Sequence, residues 1–389
     1  MRILIVHNDY GNFSGEEAGV QRQVQLLTNM AHHVSRFSRS SAQIPHMRFG
    51  RVRAFFSGIY SLASRKVMRE LLQEHKPDIV HIHNLFPWIS PAILPECRRA
   101  GVPVVMTVHN YRLICPNGLH MPKTGLEICE KCCGGHEYWC ILKNCEGSLP
   151  KSLGYAIRNY VARKARFYLD NISMYACLTN FQRDRLVSEG YPSDRIAVVP
   201  NMAHGIATAR ERSLGEYVGF AGRLAPEKGV DVLLRAVRSL SQIPFAVAGD
   251  CSNTHDMVQN TTANVKFHGH IPCDRISDFY RASRMIVLPS MWFEAFPLVL
   301  IEAMLHAKPV IASRIGGLPE IVDDSVTGLL FEPGNAEDLA EKIGHLWARP
   351  DLCRGMGQAG RQKALREYSP EKHYARLMAV YEKALKFRA

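Results

Sequence analysis

What constrains this chain most is a recurring alternation: short, almost wholly apolar runs, each followed by a stretch with helical spacing. Runs over residues 3–6, 79–82, 104–108 and 173–178 form one series, and runs over 217–221, 245–250, 285–288 and 309–312 a second. Strands with one face in water alternate apolar and polar residues, whereas strands covered by helices on both faces do not. Strand, helix, strand at this interval specifies parallel βαβ units, hence a doubly wound α/β fold. At 389 residues the chain exceeds one ordinary core. Two Rossmann-like domains are expected, facing each other across a central cleft between their strand carboxyl ends, where open sheets bind ligands.

The first domain is expected over 1–202, with a cysteine-rich insertion at 115–145, completed by a basic helix over 370–389 that crosses back to it. The second is expected over 203–369, with the linker near 202–214. Residues 34–69 are basic and aromatic with no clear periodicity. A basic amphipathic helix is expected over 151–169, with Leu153, Ala156, Ile157, Tyr160 and Phe167 on its apolar stripe. No apolar run approaches membrane-spanning length. Residues 1–8 read as a first buried strand and not as a leader, because their apolar run is only four residues. A cytoplasmic protein is expected.

The net charge of +12 is unevenly placed. Residues 1–204 hold 25 Lys/Arg against 15 Asp/Glu, an excess of ten, and residues 18–69 hold nine basic residues and no acidic one. Such a face suits an anionic partner: a phospholipid surface, a phosphorylated substrate or nucleic acid. Nucleic acid is disfavoured because no recognisable reading motif accompanies the charge.

Residues 288–303, LPSMWFEAFPLVLIEA, carry the densest chemistry. A strand end leads through a loop with Ser290 and Glu294 into a helix whose first turn Pro297 suits. Apolar residues almost all round predict that this helix is buried. A helix opening from a strand carboxyl end offers free N–H groups to an anion. Glu302 interrupts the apolar helix, and a buried carboxylate needs a partner. Arg223 and Lys228 bracket a turn over the same sheet edge; Arg binds phosphate through paired N–H groups and Lys as a point charge. Two cations and a helix N-terminus suit a diphosphate and would stabilise it as a leaving group. No D-x-D occurs, so the usual carboxylate pair for a divalent metal is missing and no catalytic metal is expected.

Together these pieces resemble a retaining glycosyltransferase of family 4, the group 1 transferases, of GT-B architecture. The resemblance rests on Gly15, His109-Asn110-Tyr111, Gly222-Arg223-Leu224, Glu227-Lys228-Gly229, Phe267-His268-Gly269, Glu294 with Glu302, and Gly316-Gly317-Leu318-Pro319-Glu320, in that order along nearly the whole chain. It implies that Glu294 contacts the donor sugar and Glu302 the ribose, while Arg223 and Lys228 bind the diphosphate. Backbone groups of Leu298 and Val299, after Phe296 and Pro297, join them. His270 and Ile271 would lie near the base, and His109 would face the sugar and the reacting centre. Gly15 would sit by the donor phosphate, where family members often carry Gly-Gly. Retention with no obvious paired nucleophile implies front-face attack, with Glu294 in a positioning and electrostatic role.

Six cysteines lie between 115 and 145, and Cys129, Cys132, Cys140 and Cys145 have the spacing of a small structural zinc site. Disulfides formed on oxidation, or unpaired thiols, are the rival readings. Arg112-Leu113-Ile114-Cys115-Pro116-Asn117 is similar to a subset of family 4 that builds cell-surface polysaccharides. The implied activity is transfer of a hexosyl group from a UDP- or GDP-sugar to a saccharide, lipid-diphosphate-linked, at the inner face of a bacterial membrane, in capsule, O-antigen or exopolysaccharide synthesis. A nucleotide-sugar epimerase of the same architecture, a soluble transferase acting on a small phosphorylated acceptor, and a non-catalytic binding protein are the alternatives.

Overall fold

A computed structural model describes residues 1–11, 14–203, 214–250 and 261–387. The chain divides into two compact units, residues 1–201 with 373–389, and residues 202–372. Most of the linker expected near 202–214 lies outside the described residues.

The first unit is a six-stranded sheet of β1 (Arg2–Asp9), β2 (His33–Ser40), β3 (Ile79–Asn84), β4 (Val104–Val108), β5 (Met174–Cys177) and β6 (Ile196–Val198). Its order is β2-β1-β3-β4-β5-β6, parallel throughout. Ile3, Leu4, Ile5 and Val6 are all buried because helices cover both faces of β1. The last helix, Pro370–Lys386, places Leu377, Val380, Tyr381 and Ala384 in a core with Ile3, Ile5, Val20 and Ile79. Residues 34–69 hold the edge strand β2 and most of two helices, Gly50–Ile59 and Leu62–His75. Of the β2 side chains only Phe37 is buried, which is why no apolar run announced this strand.

The basic stretch over 151–169 is not one helix. A helix at Leu149–Lys164 stops, Arg166 takes a left-handed φ of 50°, and a short helix follows at Phe167–Asn171. The expected apolar stripe is also corrected. The buried face is Ser152, Gly154, Ala156, Arg158, Asn159 and Ala162, whereas Leu153 and Tyr160 point to solvent. Close packing decides this. A Cβ on Gly154 would stand 2.7 Å from the Phe55 ring, so a bare glycine lets helices Leu149–Lys164 and Gly50–Ile59 approach.

Glu96 is buried beneath a fan of arginines. Its carboxylate accepts from Arg65 Nε at 2.8 Å, from Arg69 Nε at 3.2 Å and from Arg99. Burial alone would raise this carboxyl, but the three guanidinium groups hold it down, to about 2. A depressed carboxylate contributes stability that is complete above the ordinary value of 4.5 and fades as pH falls toward about 2. Denaturant midpoints measured against pH should fall through that window in the wild type. Glu96→Gln should flatten the fall, and an unchanged slope would refute the assignment.

The second unit contains β7 (Tyr217–Ala221), β8 (Phe245–Ala248), β9 (Val265–Gly269), β10 (Ser283–Leu288), β11 (Val310–Ser313) and β12 (Gly328–Phe331). The order β12-β11-β10-β7-β8-β9 is the Rossmann order, with its reversal between β7 and β10. Helix Pro350–Glu367 was not foreseen. It packs through small residues, Gly357 against the Ala307 carbonyl and Gly360 against Met304, and these leave little apolar periodicity to detect. The helix after β10 runs Leu298–Leu305 and starts one residue later than expected: Pro297, extended at ψ 119°, caps it from outside. Nor is that helix buried all round, since Leu298, Val299 and Glu302 are half-exposed.

Candidate active site

Where strand order reverses, connections leave neighbouring strands in opposite directions and open a crevice at their carboxyl ends. In the second unit that point lies between β7 and β10. The loops leaving them touch: Met291 N–H donates to the Glu227 carbonyl at 2.9 Å. Gly229 makes the approach possible. Its φ is +69°, and a Cβ there would stand 1.7 Å from the Pro289 carbonyl oxygen. Lys228 Nζ then donates to Glu294 Oε1 at 2.6 Å, and Ser290 Oγ donates to the same oxygen at 2.6 Å. The Lys228 ammonium also stands 5.1 Å from the centre of the Trp292 ring. The Glu294 side chain is 5% exposed and that of Lys228 16%, so the pair is largely desolvated. From the loop after β11, Gly317 N–H donates to the Glu294 carbonyl at 3.0 Å.

The other residues singled out in this unit are placed differently. Arg223 is exposed and pairs with Glu227 at 2.8 Å. Glu302, half-buried, accepts from Tyr280 OH at 3.0 Å, so the carboxylate that interrupts an apolar helix has a tyrosine partner. The Phe296 ring packs edge-on against Tyr368. Leu298 and Val299 open the helix, where the first N–H groups have no intrahelical acceptor. His270 and Ile271 line a groove of about 880 Å³ whose walls include none of Arg223, Lys228, Glu294 and Glu302. Sequence reasoning missed Ser290 as a donor to Glu294 and Trp292 beside Lys228, although both lie in the segment it singled out.

In the first unit His109 follows β4 and ends a row of histidines. His109 Nε2 lies 2.8 Å from His83 Nδ1, and His83 stacks on His81. His81 in turn bonds Tyr381 OH at 2.6 Å and Thr107 Oγ1 at 2.8 Å. Burial lowers His109 and His81 to about 3 and His7 to about 4. These imidazoles are therefore neutral near pH 7, able to hydrogen-bond but not to act as cations. Only His109 stood out in the sequence. The available signal was His81-x-His83, since residues two apart on a strand share a face.

Beside the histidines, Tyr10 OH donates to Glu16 Oε2 at 2.9 Å and accepts from Arg112 at 3.0 Å. Burial raises the Glu16 carboxyl above the usual range. Gly15 is the first residue of helix Gly15–Asn29, which Ser14 caps. His7, Asp9 and Glu17 have ligand atoms within 4.8 Å of one another, the one three-ligand grouping of that kind among the described residues. Arg36 lines the same cavity and opposes a cation there. The zinc spacing is not such a grouping. Cys132, Cys140 and Cys145 are buried around Ala156, and Cys115 is buried within electrostatic reach of all three, whereas Cys129 is half-exposed. The described cysteines are all free thiols.

Two parallel doubly wound units of six strands each match the GT-B architecture seen in solved glycosyltransferases. Family models agree: Glycosyltransferase Family 4 matches residues 13–204, and Glycosyl transferases group 1 matches residues 209–363. This chain belongs to the group 1 glycosyltransferases of family 4. An uncharacterised glycosyltransferase of Methanocaldococcus jannaschii is 25% identical over 98% of each chain. An uncharacterised 42.6 kDa protein in the cps region of Klebsiella pneumoniae is 25% identical over 68% of this chain and 64% of its own. Anabaena HepE, solved in complex with UDP and glucose, superimposes with a TM-score of 0.66 at 18% identity, covering 98% of this chain and 99% of its own.

Proposed function

We propose that this protein transfers a hexosyl group, with retention and without a catalytic metal, from a UDP- or GDP-sugar to a lipid-diphosphate-linked saccharide during cell-surface polysaccharide synthesis. The observation that carries the reading is the desolvated Lys228–Glu294 pair at the strand reversal. In it a cation and a carboxylate are held ready by backbone contacts from three loops. On donor binding, Lys228 and Arg223 take the diphosphate, and the N–H groups of Leu298 and Val299 add to them. Glu294 turns to the sugar hydroxyls and Glu302 to the ribose, with the base near His270 and Ile271. Negative charge grows on the departing diphosphate, where Lys228 stabilises it. The acceptor hydroxyl attacks from that same face and passes its proton to the leaving phosphate oxygen. His109, neutral, positions the sugar by hydrogen bonding.

In this reading the first unit receives the acceptor, with Gly15 by the donor phosphate and His109 at the sugar, and the second binds the nucleotide of the donor. The bound UDP and glucose of HepE and the cps-region relative support the choice of donor class and pathway. A thermal-shift panel of UDP-, GDP- and ADP-sugars tests it. One base should raise the melting temperature, because a ligand at about a hundred times its Kd adds about 2.7 kcal/mol to stability. Lys228→Ala should abolish the shift. Failure of every nucleotide sugar to stabilise the wild type would sink the proposal, and conversion of the donor sugar without acceptor would identify an epimerase.

A further inference from the structure

The side chains left in solvent by the packing of helices Gly50–Ile59 and Leu149–Lys164 are not those a water-facing surface carries. Eighteen large apolar side chains are strongly exposed among the described residues, and ten of them fall within 49–62 and 138–160. On the first helix Val52 and Phe56 recur at the four-residue spacing of one face, Phe49 directly precedes the helix, and Phe49 and Phe56 are 67% and 63% exposed. On the second, Leu149, Leu153 and Tyr160 share a face at spacings of four and seven residues, one and two helical turns. The helices that carry the two stripes pack directly against each other, with Phe55 seated on Gly154. Phe49 is also held in the left-handed region at φ +56°. A bulky residue rarely adopts that conformation, and here it presents the ring to solvent.

Charge accompanies the apolar stripes. Arg48, Arg51, Arg53, Lys151 and Lys164 are exposed around them. Arg48 lies against the Phe49 ring and Lys164 against the Tyr160 ring. No acidic residue occurs from 18 to 69 to offset them. Aromatic and aliphatic side chains ringed by cations, on helices lying side by side, are the composition of an interfacial membrane face: the apolar residues enter the acyl boundary and the cations meet anionic headgroups. A nucleic-acid surface has no use for exposed Val52, Leu149 and Leu153, and a face for a basic or neutral protein has no use for the arginines.

We infer that this two-helix face docks on an anionic lipid bilayer, inserting Phe49, Phe56 and Leu153 and holding the first unit against the membrane that carries the acceptor. The acceptor clause rests on the proposed function; the docking itself does not. Flotation of the full chain should be measured with vesicles of phosphatidylcholine alone and of phosphatidylcholine mixed with phosphatidylglycerol. Binding should require the anionic lipid, and each arginine removed in Arg51→Gln and Arg53→Gln should weaken it about fivefold. Phe56→Ser with Leu153→Ser should remove the part of the binding that survives high salt. Both substitutions lie at exposed positions and should leave the donor-induced thermal shift intact. Lys228→Ala should keep vesicle binding, so failure of the donor reading and failure of docking are separable. Equal binding to both vesicles, wild-type binding by the surface variants, or a dimer in sedimentation that Phe56→Ser dissolves would each overturn the inference, the last by assigning the face to a second copy of this chain.

Discussion

Lys228→Ala is expected to lower the rate of glycosyl transfer by about a hundred- to a thousandfold, the usual consequence of removing one group aimed at developing negative charge. The same substitution should also destabilise the second unit. Glu294 would be left buried with Ser290 as its remaining side-chain donor, and breaking a buried pair from one side costs about 3–5 kcal/mol. The low end applies, because the Lys228 side chain keeps 16% of its surface in solvent. The two effects can be separated. Lys228→Met combined with Glu294→Gln removes both charges and should recover much of the stability while leaving transfer as slow as in the single variant. Urea denaturation and initial rates on the same preparations check this. Near wild-type kcat/KM in Lys228→Ala would remove the lysine from the mechanism.

Gly229→Ala should be the most damaging single-methyl change in the second unit. The left-handed φ of +69° disfavours any side chain by about 1–2 kcal/mol. The larger part comes from sterics: a Cβ at 1.7 Å from the Pro289 carbonyl forces the β7 loop away from the β10 loop. Lys228 is the preceding residue, so it moves with the loop, and a misplacement of about 1 Å is enough to lose about a hundredfold in rate. A melting-temperature fall of about 2–4 °C per kcal/mol is expected for a unit of this size. Gly316→Ala provides the control. Its φ is also positive, but its Cβ would meet the Glu294 nitrogen at 2.9 Å, a milder conflict, so its loss should be smaller. Equal effects from the two substitutions would show that strain, and not the contact between loops, dominates at Gly229.

The strands were legible because both faces of each central strand are covered, which writes a continuous apolar run into the chain. The elements that escaped lack that pressure. β2 lies at the sheet edge with most of its side chains in water, and helix Pro350–Glu367 packs by glycine against backbone. The stretch over 151–169 misled for a related reason. Its large apolar residues form a clear stripe, but the face turned inward is the one with Gly154 and Ala156, where another helix fits closely, together with Arg158 and Asn159. Amphipathic spacing locates a stripe without saying whether protein or something else covers it.

The site divides in the same way. Short motifs ending successive strands disclosed the candidate residues, since ligand-binding chemistry gathers at strand carboxyl ends and those positions are local in sequence. The order of Arg223, Lys228, Glu294 and Glu302 along the chain, and the doubly wound class, were determined by sequence alone. Pairing was not. Lys228 and Glu294 are 66 positions apart, and what brings them to 2.6 Å is the placement of β10 beside β7 together with a glycine that lets their loops touch. Likewise Tyr280 meets Glu302, and His83 meets His109, only because particular helices and strands pack side by side. Side-chain partners across a sheet depend on strand order and close approach, which no local spacing encodes, so the sequence named Lys228, Glu294, Glu302 and His109 while the tertiary structure decided which partner each one holds.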